Sequence, residues 1–146
     1  MLRRRESLSG KVRDSVKETI LLYGFKDGER LLKVKKALLL LGMRMKTVAP
    51  SEYSQPVGYL AGIKEIPPSS IPYEGPEFEK EMLVMGGLTS ARIDAVIQIL
   101  RKTGVGRIDY KAVVTPTNQV WDALRLYEEI AREHEAMQGI NGPSAS

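Results

Sequence analysis

The residues best equipped for chemistry stand at two points where an apolar run hands over to a helical pattern. "GGLTS" (86–90) and "TPTN" (115–118) bring together the hydroxyls of Thr89, Ser90, Thr115 and Thr117, the amide of Asn118, and the open backbone of Gly86 and Gly87. Lys111 lies four residues before Thr115, on the strand face that it shares with Val113 and Thr115. Backbone N–H groups at two helix starts, hydroxyls and one ammonium are the ingredients of a phosphate or carboxylate site. They are equally the ingredients of ordinary helix caps. Asn118 or Thr117 as the cap, with Pro116 fixing the approach, contributes about 1 kcal/mol and requires no ligand. These eight residues are the anion-site candidates, and the cap is the competing explanation.

Catalytic constellations are scarce. The one histidine, His134, has Ile130, Ala131, Met137 and Gln138 as helical neighbours, so neither a carboxylate nor a second ligand accompanies it. There is no cysteine, which excludes disulfides, thiolate nucleophiles and Cys-based metal sites. Gly104-x-Gly106 is followed by a strand pattern instead of a helix, the wrong setting for a dinucleotide loop. Glu128, Glu129, Glu133 and Glu135 read as a solvated helix face. No catalytic residue, metal ligand or cofactor is therefore assigned, and a binding module is expected over an enzyme.

Charge suggests a second address. The 146 residues carry a net charge of +4, but residues 1–63 hold 13 Lys/Arg against 6 Asp/Glu. Arg3, Arg4, Arg5, Lys11, Arg13, Lys33, Lys35, Lys36, Arg44 and Lys46 are the nucleic-acid candidates. Stacking aromatics are not interleaved with them; "LLYGF" offers only Tyr23 and Phe25. No apolar stretch follows the charged start as in a signal peptide, and "ALLLLG" is too short to span a bilayer. A cytoplasmic protein without a membrane partner is expected.

The elements that must position these residues form a repeat. Shifted by 62 residues, Leu22 falls on Val84, Gly24 on Gly86, Leu31 on Ile93, Val34 on Val96, Leu38 on Leu100 and Gly42 on Gly104. "TVAP" (47–50) then answers "VVTP" (113–116). Each half reads as strand (19–25, 81–87), helix (28–42, 89–104), strand (44–48, 109–115), proline and helix (52–63, 118–137). This divides one domain, 18–138, into a first βαβα repeat (18–63), a linker (64–80) and a second repeat (81–138). A flexible basic arm (1–17) and a flexible tail (139–146) flank it. The linker region holds four prolines and is expected to be a structural connector. The fold class is α+β: one four-stranded sheet in the ferredoxin-like, split βαβ arrangement, with a mostly parallel α/β sheet as the alternative. Helix 28–42 is apolar nearly all round at "ALLLLG", which points to a homo-oligomer.

"KAVVTPTNQVW" (111–121), with "MLVMGGLTSARIDAVIQILRKTG" and "EEIAREHEAM", resembles a small bacterial family known only as a domain of unknown function. Lys111, Thr115, Pro116, Thr117, Asn118, Trp121, Glu133 and His134 carry the resemblance, which spans roughly residues 78–137. It implies a cytoplasmic bacterial protein and draws attention to the Thr-Pro-Thr-Asn turn, without implying an activity. The ligand expected from the residues themselves is a small anion or a protein partner, with nucleic acid as the alternative.

Overall fold

The computed structural model describes residues 17–141, with side chains through 137. Arg3, Arg4, Arg5, Lys11, Arg13 and the tail beyond 141 lie outside the described residues. The strands are β1 (Thr19–Tyr23), β2 (Arg44–Thr47), β3 (Met82–Gly86) and β4 (Tyr110–Val113). The helices are α1 (Gly28–Leu39), α2 (Val57–Leu60), α3 (Ser90–Lys102) and α4 (Ala123–Asn141), with short 3₁₀ turns at Pro50–Glu52 and Asn118–Val120. The order strand, helix, strand, 3₁₀ turn, helix thus occurs twice.

Strand composition decides sheet position. Every residue of β1 and β3 is buried, as continuous apolar runs require when both faces are covered. The charged strands β2 and β4 are partly exposed and take the edges. The sheet order is β2-β1-β3-β4: β1 runs parallel to β2, β3 parallel to β4, and β1 antiparallel to β3 with Leu21 opposite Val84 at its centre.

This mixed sheet corrects the split βαβ topology expected from the sequence. In a split βαβ, another strand separates the two strands of each unit; here they are direct neighbours. The alternative is met in part: β1–β2 and β3–β4 pair in parallel, but the central pairing is antiparallel, so the sheet is mixed. The chain between β2 and β3 explains the first difference. It carries the first 3₁₀ turn, α2 and the linker across a face of the sheet, where a split arrangement would join β2 and β3 as a hairpin.

Alternate residues of the central strands supply two cores. Ile20, Leu22, Leu83 and Met85 face α1 and α3, meeting Val34, Leu38, Val96 and Leu100. Leu21, Tyr23, Met82 and Val84 face α2 and α4, meeting Tyr53, Val57, Leu126 and Ile130. The linker closes this second core. Phe78 stacks between Tyr53 and Tyr127 at centroid distances of 4.1 and 4.0 Å. Gln55 holds the backbone of Ser69 with two hydrogen bonds, both 2.9 Å. The proline-rich segment is therefore packed, despite lacking helix or strand. Helix α1 is covered on one side only: Leu39 and Leu40 stay 66% and 71% exposed.

Two arginines lock the halves reciprocally. Arg30, on α1, donates from Nε to both oxygens of Glu81 (2.8 and 2.6 Å), and from its terminal nitrogens to the carbonyls of Val105 and Arg107 (2.6 and 2.8 Å). Arg92, on α3, donates to both oxygens of Glu18 (2.7 and 2.8 Å) and to the carbonyl of Leu41 (2.7 Å). Each glutamate immediately precedes the central strand of the opposite half. Each guanidinium also bonds to backbone carbonyl oxygen past the end of the other half's first helix.

The two-nitrogen fork of Arg92 on Glu18, the Nε of Arg30 shared between both Glu81 oxygens, and the carbonyl contacts raise these pairs above an ordinary surface bridge, although solvent still screens them. Arg30→Ala should lower unfolding free energy by about 2 kcal/mol in urea denaturation; a loss below about 0.5 kcal/mol would show the clamp to be incidental. Hydrogen bonding from Arg92 holds the Glu18 carboxyl below its usual 4.5. Its contribution is therefore present above that value and is lost as the pH falls through the depressed one. Glu18→Gln should accordingly lose less stability than the wild type between about pH 5 and pH 3; parallel acid limbs would contradict this assignment.

Candidate functional site

The turn "TPTN" is built from β4, which ends at Val113, and from the 3₁₀ turn that begins at Asn118. Asn118 is buried, and its amide is committed on both sides. Its Oδ1 accepts from the Thr115 N–H at 2.8 Å, and its Nδ2 donates to the Val113 carbonyl at 3.0 Å. The Asn118 N–H donates in turn to Thr115 Oγ1 at 3.1 Å. Thr117 is exposed.

The first half makes the same closure with different chemistry. There the Glu52 carboxylate accepts from the Ala49 N–H at 3.1 Å, just before the equivalent 3₁₀ turn. Asparagine and glutamate thus do one local job, that of capping a backbone donor.

The second strand end is similarly occupied. Thr89 caps α3 by accepting from the Arg92 N–H at 3.2 Å, and Ser90 is exposed at the first helical position. A Cβ at Gly86 would lie 3.1 Å from Ala61 Cβ and 3.5 Å from Val114 Cγ2, so packed side chains cover that glycine. Gly87 turns the chain with φ +78°. The ends of β3 and β4 do share an edge of the sheet, as their parallel pairing requires, but Thr89, Thr115 and Asn118 are spent on capping.

Trp121 is not one turn inside a helix. It is extended, and its carbonyl accepts from the Val57 N–H at 2.8 Å while Pro56 and Asp122 form an antiparallel bridge. This contact docks the turn onto the first half and breaks the expected helix 118–137 in two. Asp122 restarts it by accepting from the Arg125 N–H at 2.9 Å. The Arg125 guanidinium lies 4.2 Å over the Trp121 ring. His134 rests edge-on against Tyr110 at 4.9 Å. Among the described residues, no group of three or more His, Asp or Glu side chains can hold a metal ion.

Lys111 separates from the other candidates. Its Nζ donates to the Ile108 carbonyl at 2.7 Å, which draws it toward the beginning of β4 and away from the Thr115 end. There it lines a concavity of about 540 Å³ with Arg101 at the end of α3 and Arg107 in the following loop. Ile97, Leu100 and Ile108 supply an apolar lining, and Gly106 lies in the loop beside them. Partial burial pushes the Lys111 pKa down, and the neighbouring Arg107 and Arg101 add to that while Asp109 opposes it. The carboxylate of Asp109 is 3.7 Å from Arg107 and 3.9 Å from Lys80. Among the described residues, three cations thus line one hollow whose lining holds no carboxylate.

Sequence reasoning found Lys111 but missed Arg101 and Arg107. The available signal was their grouping around "GVGRIDYK", where a glycine-bounded loop returns the chain beside a helix end. Of the nucleic-acid candidates, Lys33, Lys36 and Arg44 are exposed, while Lys35 and Lys46 are half-buried. Lys46 stands 3.3 Å from Glu52.

If the "TPTN" turn is a structural cap, Asn118→Ala should cost about 2 kcal/mol, since both ends of a buried amide are lost. Urea denaturation measures this directly, and an unchanged midpoint would contradict the assignment.

A family model described as "Domain of unknown function (DUF3783)" matches residues 81–137. That region runs from just before β3 into α4, and it contains the strand-end turns and the cationic concavity. No curated protein and no solved structure matches the chain. Among the described residues, no helix is long and apolar enough to cross a membrane.

Proposed function

We propose that the protein is a non-enzymatic binding module that takes an anionic small molecule between Arg101, Arg107 and Lys111. The observation that carries this reading is the convergence of three cations on one hollow without a lining carboxylate. Like charges held together are costly, and an anion relieves that cost.

Comparison of the two halves supports it. We also infer that the halves are tandem copies: the strands then correspond at a shift of 63, which sets Glu18 on Glu81 and Ile20 on Leu83, and so makes Met45, opposite Ile20, the counterpart of Lys111, opposite Leu83. By the 62-residue shift, Leu39 is the counterpart of Arg101. The clamps, caps and turns occur in both halves, whereas Arg101 and Lys111 answer to apolar residues in the first. A purely architectural role would leave their confinement to one half unexplained.

The reading is tested by titrating inorganic pyrophosphate into the protein calorimetrically. Lys111→Ala should weaken binding about ten-fold or more, in line with the loss of a charge-assisted hydrogen bond, while Thr117→Ala leaves it unchanged. As the pH rises, Lys111 loses its proton before an ordinary lysine does, so wild-type affinity should fall. Lys111→Arg should retain affinity in that alkaline range. Equal affinities for the wild type and Lys111→Ala would overturn the proposal.

A further inference from the structure

The lining of the concavity points to a narrower class of ligand. We propose that the site takes an amphiphilic anion: an aliphatic chain ending in a phosphate monoester or diphosphate head. This rests on the anion-binding reading above and adds the nature of the ligand's body.

Two features of the lining separate head from body. Arg101, Arg107 and Lys111 provide three positive charges, which suits a head carrying about two negative charges better than a single carboxylate. Arg107 shares its charge with Asp109 at 3.7 Å, so Arg101 and Lys111 hold the charges without a close carboxylate partner in the hollow. The remaining side chains, Ile97, Leu100 and Ile108, are branched aliphatics. They belong to the α3 side of the sheet, where Leu100 and Ile108 are continuous with the buried core. A ligand seated there would cover apolar surface next to that core.

The aromatic residues argue for an aliphatic body over a planar ring. Tyr23, Tyr53, Tyr73, Phe78, Tyr110 and Tyr127 form a contiguous array in the core on the opposite face of the sheet. None lines the hollow. A nucleobase would find no ring to stack on, and it would leave its hydrogen-bonding edges facing isoleucine and leucine. An alkyl chain loses nothing against such a wall and gains with each methylene covered. The volume of about 540 Å³ also leaves room for more than a bare phosphate.

The test compares three probes by calorimetry on the full chain: inorganic phosphate, n-hexyl phosphate at concentrations where it is monomeric, and n-hexanol. The expected result is hexyl phosphate binding about ten-fold or more tightly than inorganic phosphate, with hexanol giving no measurable heat. Ile97→Ser, at a half-exposed position, should bring hexyl phosphate down toward the affinity of inorganic phosphate without altering the latter. A thermal melt of this variant matching the wild type shows that it is folded. Equal binding of hexyl phosphate and inorganic phosphate would overturn the amphiphile while leaving the anion reading intact. Binding of hexanol as tight as hexyl phosphate, or no binding of either phosphate, would overturn both.

Discussion

The antiparallel pairing of β1 with β3 is the constraint on which the rest of the structure depends. It joins the two halves through a central pair of strands whose every residue is buried. It also turns one half over relative to the other, so that equivalent groups meet reciprocally. Arg30 reaches Glu81, and Arg92 reaches Glu18. Neither clamp can form within a single half, because each glutamate lies at the start of the other half's strand. Hydrophobic burial drives the halves together, while the clamps help specify how they sit.

That arrangement explains why conspicuous polar residues contribute to architecture while less conspicuous ones surround the hollow. The strand-to-helix turns lie beside the contact between α2 and the second 3₁₀ turn, where Val57 and Trp121 share a backbone hydrogen bond. The side chains of Thr89, Thr115 and Asn118 are consumed in closing tight backbone bends. The opposite end of β4 leads back to the exposed loop after α3. Arg101, Arg107 and Lys111 gather there beside β4, the edge strand among the described residues. The sheet edge leaves space for a ligand, and the buried centre does not.

Much of this was legible in the residues. The continuous apolar runs of β1 and β3 marked central strands, and the alternation of apolar runs with helical patterns foretold the order of elements. Strand order was not legible, because the split and the observed arrangements share the same central pair and the same two-fold relation. They differ only in the edge to which β2 and β4 are assigned. The direction of Lys111 was equally hidden: spacing put it on the Thr115 face of its strand, but a long flexible stem allowed Nζ to fold back onto Ile108. The clamps had a readable signal in Arg30 and Arg92, each in the first turn of its half's first helix, and in Glu18 and Glu81, each one residue before a central strand. Their crossed partnership required the antiparallel pairing to be known. The linker's prolines described its backbone, whereas Phe78 determined where it packs.

The most direct test of the account is a map of backbone amide shifts by nuclear magnetic resonance during titration with pyrophosphate. The account predicts saturable shifts concentrated at Gly106, Arg107, Ile108 and Lys111, with Thr89, Ser90 and residues 115–118 unmoved. Shifts concentrated at the two strand-end turns, with the hollow silent, would contradict it and return the site to "TPTN".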